Sequence, residues 1–192
     1  MTDRFLRIPL LLTAALLAAL TLAACGGHKQ PTQHGESEGA YIEVGPLVYQ
    51  VQLSRELNAS NVEDREYLAE LPADEAQPRG DEEWFGVWLR VQNVTDEVHP
   101  TAEDFEIVDS VGTHYEPIEL PEGNPLTYQP VALEGEQVQP VYPGPDTAAG
   151  AGQAQGALLL FKLNTSVYAN RPLEFEITPP DGGEPSSVLL DL

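Results

Sequence analysis

Apolar and polar positions divide this chain into three parts: an uncharged run near its start, a polar interval, and a series of short alternating segments. Residues 8–24 carry no charge and are mostly Leu and Ala, with Arg4 and Arg7 just ahead of them. A membrane-spanning helix needs ~20 suitably flanked apolar residues, so this run reads as the apolar core of an export signal. Residues 26–39 lack large apolar side chains and predict a flexible tether. Beyond Ala40 the period shortens to two. Leu47, Tyr49, Val51 and Leu53 alternate with Val48, Gln50 and Gln52, the pattern of a half-buried strand. Over 84–93, Phe85, Val87, Leu89 and Val91 share one face and predict core. Trp84, Gly86, Trp88, Arg90 and Gln92 share the other. Phe105, Ile107 and Asp109 alternate next, and Ser110, Val111 and Gly112 predict a hairpin turn into 114–118. Six prolines in 121–145 favour extended edge segments. The continuous apolar run 157–163 predicts a strand buried on both sides. Leu173, Phe175 and Ile177 alternate again, and 187–192 supplies a short last strand.

Residues 54–83 differ in kind, with ten acidic residues against three Arg. Ser60-Asn61-Val62-Glu63 matches a capping box. Tyr67, Leu68 and Leu71 follow at helical spacing, and Pro72 stops the run. The spacing predicts a short helix over about 61–71, packed by that stripe, followed by an acidic loop. Roughly seven strands without β–α alternation predict a mostly β, two-sheet antiparallel β-sandwich with one short inserted helix.

The uncharged run ends in Leu22-Ala23-Ala24-Cys25-Gly26, which resembles the lipobox of bacterial lipoproteins. The resemblance implies cleavage before Cys25 and lipid on its thiol. Cys25 is the only cysteine, so it has no disulfide partner within the chain. The expected organisation is a signal peptide over 1–24, a lipidated Cys25 and tether over 25–39, and a sandwich over 40–192. The expected location is the outer face of a bacterial membrane, held there by the N-terminal lipid. Loss of residues 1–24 removes Asp3, Arg4 and Arg7, leaving 30 acidic and seven basic side chains and a net charge of −23. Such a field repels phosphate backbones and excludes nucleic acid as a partner class.

No catalytic set emerges. Cys25 is committed to lipid, no Gly-x-Ser-x-Gly elbow occurs, and the sandwich region holds only His99 and His114. The only Met is the initiator, which removes a blue-copper site. Calcium is the cofactor that the oxygen donors would suit, and Asp96, Glu97, Glu103 and Asp104 bracket one inter-strand loop where two or three could converge. Trp88 lies opposite the core face, so either the inserted helix covers it or it anchors a partner. Trp88 and Tyr67 are the candidate partner-binding residues. Asn58, Asn93 and Asn164 match the Asn-x-Ser/Thr pattern by coincidence.

Three segments together, 84–93, 104–115 and 158–163 with 173–177, resemble the immunoglobulin-like domains carried by many bacterial lipoproteins, related in architecture to secreted immunoprotective antigens of mycobacteria. The resemblance covers about residues 40–178, and the insertion at 54–83 departs from it. It implies an immunoglobulin-like sandwich outside the cytoplasm and supplies no catalytic residues. The function expected is a non-enzymatic binding or envelope-support module for an envelope protein or ligand the sequence does not name. The alternative is a carboxylate-based calcium- or sugar-binding domain, with weak hydrolysis as its extreme form.

Overall fold

A computed structural model describes residues 30–69, 71, 72, 75, 77–121, 126–140 and 156–191. The expected signal peptide, Cys25 and the first part of the expected tether lie outside the described residues. The described residues from 31 onward form one compact unit.

Two sheets face each other. The first runs β10 (Ala157–Asn164), β4 (Glu82–Asn93), β3 (Leu47–Leu57), β2 (Ile42–Val44), all antiparallel. A two-residue strand β9 (Val138–Gln139) continues the β10 edge beside the far end of β4. The second sheet runs β1 (His34–Gly35), β12 (Ser186–Leu190), β11 (Leu173–Thr178), β6 (Asp104–Val108), β7 (His114–Tyr115). Only the β1–β12 pair in it is parallel. A small ribbon pairs β5 (His99–Pro100) with β8 (Ala132–Leu133). The fold is a mostly β sandwich with one short α-helix, α1 (Val62–Leu68), and a 3-10 turn at Thr165–Tyr168.

The period-two reading of β4 holds on both faces. Phe85, Val87, Leu89 and Val91 are fully buried between the sheets, opposite Phe105, Ile107, Phe175 and Ile177. Phe175 stacks on Phe105 at 5.9 Å and meets Phe161 edge-on at 6.3 Å, which ties the two sheets together. The run at 157–163 is a strand packed on both faces, as its lack of alternation requires. On β3 the alternation breaks. A bulge between Val51 and Leu53 makes Gln52 the extra residue and turns Leu53 away from the inner face. Leu53 then joins Leu57, Trp84, Trp88, Leu158 and Leu160 in a second, smaller core on the outer face of the first sheet.

Helix α1 covers that outer face. It spans 62–68 rather than 61–71, and its cap is Asn61 rather than Ser60. The Asn61 side chain accepts from the Glu63 N–H at 3.0 Å.

The expected tether is shorter than its composition suggested. Residues 31–39 belong to the sandwich. Thr32 bridges Ile42, and His34 and Gly35 pair with Ser187 and Val188. Glu38 accepts from the N–H groups of Ser54 and Asp191, both at 3.1 Å, and from the Ser54 hydroxyl. This segment is held by backbone pairing and one carboxylate, neither of which needs a large apolar side chain.

Candidate functional site

Trp88 and Tyr67 are brought together but not presented. Trp88 is 0% exposed and Tyr67 4%. Arg55 reaches across the same ring, with its guanidinium 5.2 Å from the Trp88 centroid. Its Nη2 donates to Asp64 Oδ1 at 2.6 Å, and the other Asp64 oxygen accepts from the Asn58 N–H at 2.9 Å. Burial pushes the Asp64 carboxyl up, but those hydrogen bonds and the Arg55 charge outweigh it and hold it below the usual carboxylate range. Lys162 caps Trp84 in the same way, 5.2 Å from its ring, and pairs with Glu75. The indole N–H groups of Trp84 and Trp88 are buried without an acceptor. The inserted helix thus packs as a cover, and the aromatic face beneath it is interior.

The four carboxylates named for calcium are also placed. Asp96 and Glu97 lie in the turn after β4, and Glu103 and Asp104 lead into β6; all four are exposed. Two of them line hollows, and not the same one. Asp96 lines an open one of about 500 Å³ with Glu134 and Glu136, while Glu103 lines a different one. Among the described residues no group of three or more His, Cys, Asp or Glu is placed to hold a metal ion.

A row of polar side chains crosses the outer face of the second sheet. His34 is in register with Ser187, Ser187 with Glu176, and Glu176 with Glu106. The His34 Nδ1 lies 2.9 Å from the Ser187 hydroxyl, and His114 Nδ1 lies 2.7 Å from Glu106 Oε2. Like charges directly opposite on neighbouring strands repel. Burial, then the charges of Glu174 and Glu106, push the Glu176 carboxyl up; the hydrogen bond that His114 donates to Glu106 is the main reason that His114 is raised. The row is an electrostatic feature of the sheet surface, and its one hydroxyl–imidazole contact, His34 with Ser187, has the Ser187 side chain buried.

The hollow that Glu103 lines is the more concave site, a groove of about 400 Å³ along the outer edge of β10. Two extended segments dock on that edge. Ile118 donates its N–H to the Leu160 carbonyl at 2.7 Å, Tyr128 its N–H to the Leu158 carbonyl at 2.8 Å, and Leu158 its own N–H to Leu126 at 2.9 Å. Residues 117–120 and 127–130 wall the groove, Leu158 and Leu160 line it from β10, and Phe105 closes it toward the core. Tyr128 is fixed within it, because its hydroxyl donates to the Ala102 carbonyl at 2.8 Å and its ring meets Phe105 edge-on at 5.1 Å. Burial, and then the neighbouring Tyr49, push its phenol well above the usual value. Glu103 and Glu119 are the two charged residues on the lining, both exposed, and no Lys, Arg or His lines it. Its volume and its mixture of apolar and polar groups are compatible with a small ligand.

Sequence reasoning missed this groove. Its walls come from a Pro-rich stretch that reads only as edge structure, and its base from a run that reads only as core. The one available signal was Pro117-Ile118-Glu119-Leu120-Pro121, an alternating segment too short to be a strand of its own.

No protein-family model matches the chain, and no curated protein matches its sequence. Three solved bacterial structures are similar in fold. The yjhA protein of Bacillus subtilis is 10% identical with a TM-score of 0.53, over 81% of this chain and 99% of that one. A candidate lipoprotein of Bacillus subtilis strain 168, ycdA, is 14% identical with a TM-score of 0.48, over 82% of this chain and 39% of that one. An uncharacterised β-sandwich protein of Clostridium difficile 630 is 6% identical with a TM-score of 0.38, over 86% of this chain and 97% of that one. At 10% identity the likeness to yjhA extends to the fold alone.

Proposed function

We propose that this chain is a lipoprotein held by Cys25 on the outer face of a bacterial membrane, where its sandwich binds or supports another envelope component without catalysing a reaction. The observation that carries the reading is the order of features at the N-terminus: Arg4 and Arg7, seventeen uncharged residues, Leu22-Ala23-Ala24, then the only cysteine. Lipid plus one further acyl chain makes such an anchor stable. Two buried carboxylates of the sandwich hold its own loops together. Buried Asp64 and Asp109 accept hydrogen bonds from their surroundings, Asp109 from the N–H groups of Val111 and Thr113 and from Asn170. Neither is left facing a cavity as an acid or base.

Because Thr32 is already paired, only residues 26–31 separate Cys25 from the sandwich, a contour of at most ~25 Å. The anchored domain therefore works close to the headgroups, although its net negative charge keeps anionic lipid from wetting its surface.

Cell fractionation with acyl labelling tests the anchor. The wild-type chain is expected to take up labelled fatty acid and to enter the detergent phase, and Cys25→Ala is expected to do neither. A Cys25→Ala chain that stays labelled and membrane-bound would sink the reading. Cross-linking of the anchored protein on intact cells, followed by mass spectrometry, then asks for its partner. One dominant adduct supports a binding module, and a diffuse background counts against it.

A further inference from the structure

The groove at the β10 edge narrows the class of ligand. Its lining mixes polar and apolar surface: half-buried Pro117, Ile118 and Leu120 offer apolar side chains that gain by excluding water, backed by buried Phe105, Tyr128, Leu158 and Leu160. Its only charges are the carboxylates of Glu103 and Glu119, and the acidic chain around it offers no cation to neutralise them from within the lining. An anion entering would lose hydration beside two like charges. A neutral apolar molecule would leave both carboxylates without a partner. A molecule with an apolar body and a positive head satisfies both parts at once, because the body fills the cavity while an ammonium or guanidinium meets a carboxylate at the mouth. At about 400 Å³ the groove lies in the range of small-molecule sites rather than of protein interfaces.

We infer that this groove binds a small organic cation with an apolar body, held by Glu103 and Glu119. The inference rests on the binding-module reading and specifies its ligand.

The mature, anchored protein in phosphatidylcholine nanodiscs is the sample, with isoleucine Cδ1 methyls labelled for NMR and empty nanodiscs as reference. Ile118 lines the groove, whereas Ile42, Ile107 and Ile177 are buried in the main core and serve as internal controls. Phenethylammonium and hydrocinnamate are the probes, since they share a phenethyl body and differ in the sign of the head. Phenethylammonium is expected to shift the Ile118 methyl saturably, leaving the core methyls in place, and hydrocinnamate to bind about tenfold more weakly. In Glu103→Gln/Glu119→Gln that preference is expected to vanish. In Glu36→Gln/Glu184→Gln, which removes the same charge from exposed positions off the groove, it is expected to persist. Equal binding of the two probes, an unmoved Ile118 methyl, or equal loss in both double variants would each overturn the inference. Those results leave the anchor reading standing, because that depends on Cys25 and is read by fractionation.

Discussion

Tyr67 meets Trp88 edge-on, with ring centroids 5.2 Å apart and planes at 79°, and this pair fastens the inserted helix to the sandwich. Trp88 is therefore a packing residue. Trp88→Ala is expected to cost about 3–5 kcal/mol, since the site is walled by strand backbone and collapses poorly. Tyr67→Ala removes the matching ring from a shorter, more adaptable element and is expected to cost about 2–4 kcal/mol. The double variant should fall short of the sum by about 0.5–1.5 kcal/mol, the worth of an aromatic pair beyond its area. Urea unfolding of the four proteins measures all of this. A Trp88→Ala chain as stable as wild type would return Trp88 to the list of contact residues.

The main core was legible in the sequence because a strand with two distinct faces writes its geometry in period two, and β4 and β11 do so without interruption. Three things were not legible. The bulge at Val51–Leu53 inserts a residue whose neighbours are all compatible with strand, so nothing local marks it. Residues 31–39 fold through backbone pairing, which leaves no trace in side-chain type. Asn93 closes the strand motif shared with the family resemblance, but its work appears only in three dimensions. It is 0% exposed, and its Nδ2 donates to the carbonyls of Glu97, Leu133 and Glu134 while its Oδ1 accepts from Thr95. A side chain so engaged is also closed to glycosylation. The groove stayed hidden for a related reason: it forms where three segments distant in sequence meet at one strand edge.

Gly35 allows the N-terminal segment to close on the sandwich. A Cβ there would stand 2.7 Å from Ile42 Cδ1 and 3.0 Å from Val188 Cγ2. Gly35→Ala is thus expected to lift β1 off β12. The amide of Ser187, which donates to the Gln33 carbonyl at 2.8 Å, should then exchange with solvent at least about tenfold faster. Glu38→Ala deprives the Ser54 and Asp191 amides of their acceptor and is expected to cost about 1–3 kcal/mol. Unchanged exchange at Ser187 in Gly35→Ala would mean that β1 contributes little.

Stability should respond to pH in two opposed windows. Asp64 and Asp109 are held below the usual carboxylate range, each by hydrogen bonds that outweigh burial. Their contribution is complete above the ordinary value near ~3.9 and is lost as pH falls through the lowered one. His114 is raised by Glu106, with Glu176 and Asp109 adding to the effect. Its contribution is present below the ordinary value near ~6.5 and is lost as pH rises through the raised one. Unfolding midpoints measured from pH 2 to pH 9 should therefore fall at both ends. His114→Gln should flatten only the upper side, and Asp64→Asn only the lower. Loss of the upper slope in Asp64→Asn would show that the assignment is wrong.

Calcium should not stabilise this protein more than magnesium does. A calcium ion takes six to eight oxygen ligands at about 2.3–2.6 Å, and Asp96 and Glu103, at the two ends of the β4–β6 connection, open onto different hollows. Gathering Asp96 with Glu103 would require moving the turn that Asn93 pins through four backbone carbonyl or amide partners and Thr95 Oγ1. Either divalent ion screens an acidic surface, so a small and equal rise in melting temperature is expected from both. Specific binding would instead add a term that grows with the logarithm of calcium concentration. Melting curves over a calcium series, with a magnesium series at matched ionic strength, separate the two. A calcium-specific rise that disappears in Asp96→Asn would show that the turn can reorganise into a metal site.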